Sequence, residues 1–396
     1  MAEYIIENYT VGWICSLKEE YEAACRMLDE EFEPIDIKLS ISAEDPNTYE
    51  YGRINGHYLV IGCLPGGRSG PVSAATFATD MNRSFPNLRF TLLVGIGGGA
   101  PTETRDIRLG DVVVSQPDMD FGGVVQLDLW KRLQGNGGED GNESRLFQRT
   151  GQLNSPPAFL LGAMPRILRF HNDTRRPDKL AEHIKPLINA IPELRRPPQS
   201  QDRLFRANYR HQGVKETCEC YREDQVIERP PRAESREFMI HYGTIASLNF
   251  PMENVVERDR CARDLRVLCF ETEAAGLMNS TPCLVIRGIS YYSDSHKNDQ
   301  WNRYAALTAA AYAKELLITL RPVEVKEMPS QASESQMTLN DIRKYITEDA
   351  SNMNSALRHQ VARFLDLEGE KTPERLVPAA PKPSNAVFFT FPEDEY

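Results

Sequence analysis

Acidic side chains in two places have the types and spacing for chemistry at a sugar or a leaving group. Glu271 and Glu273 flank Thr272 where the strand-like run VLCFE (267–271) ends. An E-x-E spacing in extended chain puts both carboxylates on one side. The same two acids ahead of a helix would also suit its dipole, so charge alone does not separate a ligand from a helix cap. Glu19 and Glu20 open a helical stretch (17–30), where either could be an ordinary first-turn acid. Tyr291, Asp294 and His296 follow the apolar run CLVIRGIS (283–290). A lone His beside Lys297 and Asp294 is more often a satisfied structural group than a base.

Two glycine-rich loops offer phosphate motifs, and both fail on inspection. GCLPGGRS (62–69) has Arg68 where a P-loop needs Lys, and Pro65 and Pro71 interrupt it. GIGGGA (95–100) should open a helix directly if it bound a dinucleotide; Pro101 and an aperiodic stretch follow instead. Close backbone packing at turns accounts for both loops. A better reading is a set of backbone N–H groups around Ile96, Gly97 and Gly98 that line a pocket for a sugar or an anion. Cys218 and Cys220 form C-x-C near His211, which lacks the paired C-x2–4-C units of a zinc site. No metal or cofactor is expected.

These residues need a frame, and 396 residues allow one. At roughly 100–200 residues per domain the chain holds two domains or three. With 41% hydrophobic and 26% charged residues it can bury a core. A net charge of −11 argues against nucleic acid as the main ligand. No run approaches the roughly 18–20 apolar residues of a membrane span, and no secretory signal is visible. Eight cysteines, irregularly spaced, read as reduced thiols of a cytoplasmic or nuclear protein. From residue 9 to about 116 strand-like runs alternate with helical ones, with a hairpin at Asn55-Gly56. The stretch 118–237 is poorer in periodicity and reads as an elaboration on the core. Strands and helices return from 241, and an amphipathic helix (301–320) closes the domain. Alternation of this kind predicts an α/β layer structure around a mixed sheet.

Six segments then occur in one order: VGWICSLKEE (11–20), YGRINGH (51–57), LLVGIGGGAP (92–101), IRLGDVVVS (107–115), FETEAAG (270–276) and VIRGIS-Y-YSDSHK (285–297). Together they resemble the nucleoside phosphorylase/nucleosidase superfamily, and its fungal branch most of all, over about residues 9–321. The resemblance implies a three-layer α/β/α domain around a central mixed, partly barrel-like β-sheet. The domain would run over 9–322 after an N-terminal tail (1–8), with 118–237 as a family insertion. A linker (323–338) and a helical or partly disordered C-terminal extension (339–396) would follow. It also implies cleavage of a nucleoside's N-glycosidic bond, a common dimer or higher homo-oligomer, and a purine nucleoside of the adenosine, inosine or guanosine type as ligand.

The chemistry suits the residue types. Cleavage builds positive charge on the ribose, which a nearby carboxylate stabilises, and the departing base needs a proton or a strong hydrogen bond. By resemblance Glu273 binds ribose hydroxyls, Glu271 supports it, and Thr272 stands where the family has Met. Glu20 matches the glutamate that positions the attacking water in hydrolytic members. An anion there would repel phosphate. Arg68 and Arg53 are the phosphate-binding counter-candidates. Asn249, Phe250 and Met252 would line the base pocket, with Phe250 stacking on the base. The family's leaving-group acid is replaced by Tyr291, while Asp294 is retained. A phenol ordinarily titrates near pH 10 and is a weaker acid, though it can donate a hydrogen bond. Two functions stay open: a hydrolytic, slow or altered glycosidase, and a nucleoside-binding sensor without turnover.

Overall fold

All seven residues of Tyr9–Cys15 (β1) are buried, as expected of a strand covered on both faces, and its neighbours are parallel. β1 pairs in parallel with His57–Cys63 (β4) and Phe90–Gly99 (β5). The computed structural model describes residues 6–33, 45–118, 120–128, 130–132, 147–149, 151–211, 221–232 and 236–330. The C-x-C pair at Cys218 and Cys220, the second half of the linker and the C-terminal extension lie outside them.

Lys18–Arg26 (α1) is shorter than the helical stretch at 17–30 suggests. Glu30–Phe32 (β2) follows it and pairs antiparallel with Tyr49–Ile54 (β3). β3 and β4 form the expected hairpin, turned by Asn55 (φ 47°) and Gly56 (φ 81°), the left-handed pair that a two-residue turn requires. Pro71–Ser84 (α2) covers this part of the sheet, with Phe77 against Gly62 and Met81 against Gly12.

The remaining strands close on themselves. β5 pairs in parallel with Cys283–Tyr291 (β12), after Val112–Ser115 (β6), Val124–Gln126 (β7), the small hairpin Trp130–Arg132 (β8) and Phe147–Arg149 (β9), Ile240–Ser247 (β10) and Val267–Glu271 (β11). β12 pairs antiparallel with β6, β6 parallel with β10, β10 parallel with β11, and β11 antiparallel with β5. β5, β12, β6, β10 and β11 therefore make a five-stranded closed ring, and β1, β4, β3 and β2 extend it as an open sheet.

Helices cover the sheet on both sides. Asn302–Thr319 (α6) lies along β12, β5 and β6, and α1, Ala158–Asn172 (α3) and Lys179–Ala190 (α4) pack on it. Val255–Asp264 (α5) packs on β11. The chain continues past α6 into Pro322–Glu327 (α7), where Val325 is buried. The architecture is thus three-layered α/β/α around a mixed, partly barrel-like sheet. Among the described residues the six cysteines are free thiols, and no helix is long and apolar enough to cross a membrane.

Candidate active site

The glycine run at 95–99 is part of strand β5, not a turn. The lack of side chains there makes room at one end of the ring. A Cβ at Gly95 would sit on the Glu20 carboxylate and the Arg287 guanidinium. A Cβ at Gly98 would sit on Ser293 Oγ and the Tyr291 ring. The Ile96 N–H is engaged within the protein, by Glu20.

Glu20 is 3% exposed. Its Oε2 accepts hydrogen bonds from the N–H groups of Ser16 (2.7 Å) and Leu17 (3.0 Å), which also fixes the start of α1. Oε1 accepts from the Ile96 N–H at 2.7 Å. Burial pushes its carboxyl up to about 7, against the opposing influence of Arg287. A carboxylate poised near neutrality suits a general base.

Arg287 holds the centre of the cluster. It stands in the middle of β12, 1% exposed, and its Nη2 bonds Glu271 Oε2 (2.5 Å) and Glu273 Oε2 (3.3 Å). Glu271 also accepts from the N–H groups of Glu273 (3.0 Å) and Ala274 (2.9 Å), capping the short turn Ala274–Gly276. Burial raises the Glu271 carboxyl, and Arg287 opposes that rise. Glu273 Oε1 accepts from Thr272 Oγ1 (2.5 Å) and from the Gly70 N–H (3.4 Å). Glu20, Glu271 and Glu273 are therefore gathered around one guanidinium. Arg287 is not singled out by residue type and spacing, although a single Arg inside the apolar run CLVIRGIS is its signal.

Tyr291 and Asp294 lie next to this cluster. Tyr291 is 8% exposed, packed on Gly98, with Lys297 Nζ 5.1 Å from its ring centroid. Its phenol oxygen has no hydrogen-bond partner among the described residues. Burial pushes the phenol well above its usual range, and Glu273 contributes to that rise. Asp294 is buried, accepts from the His296 N–H at 2.9 Å, and is likewise raised by burial. Between them Ser293 is fully buried at φ 52°, a left-handed conformation unusual for Ser, with its hydroxyl unpartnered. His296 packs against Phe205 (4.0 Å) and Tyr209 (5.3 Å), and burial lowers its pKa to about 4. That is a packed structural imidazole.

The other candidates stand apart from the cluster. Arg68 is exposed on the turn after β4, its N–H bonded to Pro65 O. Arg53 is paired with Glu30 of the same chain at 2.5 Å. Asn249 is exposed, with its N–H on Asp128 Oδ2 (2.7 Å), and Phe250 is 64% exposed. Met252 is buried in a small apolar cluster with Ala100, Leu248 and Phe270. Among the described residues no group of His, Cys, Asp and Glu is arranged to hold a metal ion.

No family model matches the chain. Over 326 residues it is 41% identical to a nucleotide-binding leucine-rich repeat (NLR)-like protein of Hyaloscypha variabilis, an alignment covering 81% of this chain and 30% of that protein. The chain thus spans about a third of that relative's length. Solved structures similar to it include a Helicobacter pylori 5′-methylthioadenosine/S-adenosylhomocysteine nucleosidase (16% identity, TM-score 0.45, covering 79% of this chain and 99% of that one). Futalosine hydrolase of the same organism gives 14% identity and TM-score 0.44, with coverages of 79% and 99%. A putative nucleosidase of the first kind from Borrelia burgdorferi, bound to adenine, gives 14% and 0.46, with coverages of 78% and 100%.

Proposed function

We propose that the chain hydrolyses the N-glycosidic bond of a purine nucleoside. The observation that carries this reading is the buried cluster of Glu20, Glu271 and Glu273 around Arg287. In this reading Glu20 takes a proton from the attacking water, and its carboxyl, pushed to about 7, is suited to that task. Glu273 accepts hydrogen bonds from the ribose hydroxyls, held in place by Arg287, Thr272 and the Gly70 N–H. The negative carboxylates oppose phosphate and favour the developing oxocarbenium charge. Tyr291 stands at the leaving-group face.

Sensing of a nucleoside without turnover is the second reading. It is favoured by the phenol at position 291, which burial makes a poor acid, and by the NLR-like name of the relative. Both readings place the ribose on Glu273. Calorimetry of purine nucleoside binding tests that placement: Glu273→Ala should lose binding, at about 1.5–3 kcal/mol per hydrogen bond to a charged acceptor. Unchanged affinity would put the ribose elsewhere.

A further inference from the structure

Ser290, Tyr291, Asp294 and His296 line one small cavity with Gln201 and Arg203. Its volume is about 30 Å³, and roughly 10–15 Å³ suffices for one water when the walls are polar. The walls here mix polar side chains with Leu109 and the Phe205 ring. Ser290 is 3% exposed and its hydroxyl is buried without a partner. A buried hydroxyl of this kind normally bonds protein or ordered water. Among the described residues the Tyr291 hydroxyl makes no hydrogen bond. Asp294 spends one oxygen on the His296 N–H and has no direct bond to Tyr291.

From this cavity, and resting on the hydrolytic reading above, we infer that Asp294 acts through Tyr291: a water held by Ser290 relays the Asp294 proton to the phenol as the phenol protonates the leaving base. As the C–N bond breaks, its electron pair goes to the base and the phenol proton to the base nitrogen. A water proton then replaces it on the phenol oxygen, and the Asp294 proton replaces that one on the water. Asp294 afterwards takes a proton from solvent. The relay answers the difficulty that Tyr291 poses. A phenol in a buried site gives up its proton reluctantly, and a donor behind it avoids the buried phenolate. Burial favours the protonated form of Asp294. Among the described residues the groups acting on it include Arg258 and His211, which favour the carboxylate, and Glu253, which opposes it, and His296 Nδ1 lies 3.8 Å from its Oδ1.

The insertion closes this cavity from outside. Phe205 stacks on His296, and Gln201, Arg203 and Phe205 all line the space. Tyr292 is tied to the same segment, its hydroxyl bonding Asp202 and accepting from Arg229 Nη2 at 2.8 Å.

The test compares two leaving groups on the full chain. Adenosine or inosine needs a proton on its base, whereas the nitrophenolate of p-nitrophenyl riboside departs without one. Asp294→Asn should lower kcat on the purine nucleoside at least tenfold and change the nitrophenyl riboside rate less than twofold. Ser290→Ala, which removes a hydroxyl with no protein partner, should act in the same direction by a few-fold. Parallel loss on both substrates would make Asp294 a structural residue and overturn the relay; no loss on either would do the same. Should Asp294→Asn fail to fold, an unchanged ratio of the two rates in Ser290→Ala overturns the relay. A parent that cleaves the nitrophenyl riboside but not the purine also overturns it, while the hydrolytic site stands. A parent that cleaves neither removes the hydrolytic reading and the relay with it.

Discussion

Around Arg287, buried charges hold each other: two carboxylates bond one guanidinium, and Glu20, beside it, takes three backbone N–H groups. A few residues further along the chain, around Tyr291, the buried hydroxyls of Ser290 and Ser293 have no partners and Ser293 is held at positive φ. The first region is built from strands of the closed ring, with α1 contributing Glu20. The second is the end of β12 and the loop that follows it, covered by the insertion. A site assembled on strands is preorganised, and its charges are costly to disturb. Unpartnered groups and a left-handed residue mark a place where the fold has kept room for something else.

Three substitutions sharpen that contrast. Arg287→Met should cost the most, because it strands Glu271 and Glu273 as buried carboxylates without their cation, about 3–5 kcal/mol. Urea unfolding measures it, and a loss under about 1 kcal/mol would show that the carboxylates are not held by Arg287. Glu20 comes next. Its carboxyl is raised from 4.5 to about 7, so between those values the folded state keeps a proton that the unfolded chain has lost. Stability from this group is therefore complete below about pH 4.5 and falls as pH rises to about 7, by roughly 3 kcal/mol at about 1.4 kcal/mol per unit. In Glu20→Gln the fall over that window should shrink by this amount; an unchanged slope would place Glu20 in a more solvated setting. Tyr291→Phe is the smallest, because the phenol oxygen bonds no group among the described residues: unfolding free energy should stay within about 0.5 kcal/mol. A larger loss would show that the leaving-group region is as tightly bound as the Arg287 cluster.

The same contrast explains what was legible in the sequence. Strand β11 ends where VLCFE ends, and Asn55-Gly56 turns the hairpin, because local periodicity and turn chemistry decide both. The E-x-E pair was legible as a pair. Its cation was not, because Arg287 meets Glu271 and Glu273 only after β12 and β11 are both set against β5. GIGGGA read as a loop since glycine marks turns in isolation; in the fold it is strand, pressed against Glu20, Arg287 and Tyr291. Phe250, expected to stack on a base, is mostly exposed, for nothing in a loop sequence says which way its ring turns.

The acceptor decides the central claim. Purine nucleosides incubated with the full chain in ¹⁸O-labelled water, at rising phosphate concentrations, separate hydrolysis from phosphorolysis by their products. The carboxylate cluster of Glu20, Glu271 and Glu273 predicts free ribose carrying one ¹⁸O, released at a rate that ignores phosphate. Ribose-1-phosphate, formed at a rate that rises and saturates with phosphate, would contradict it.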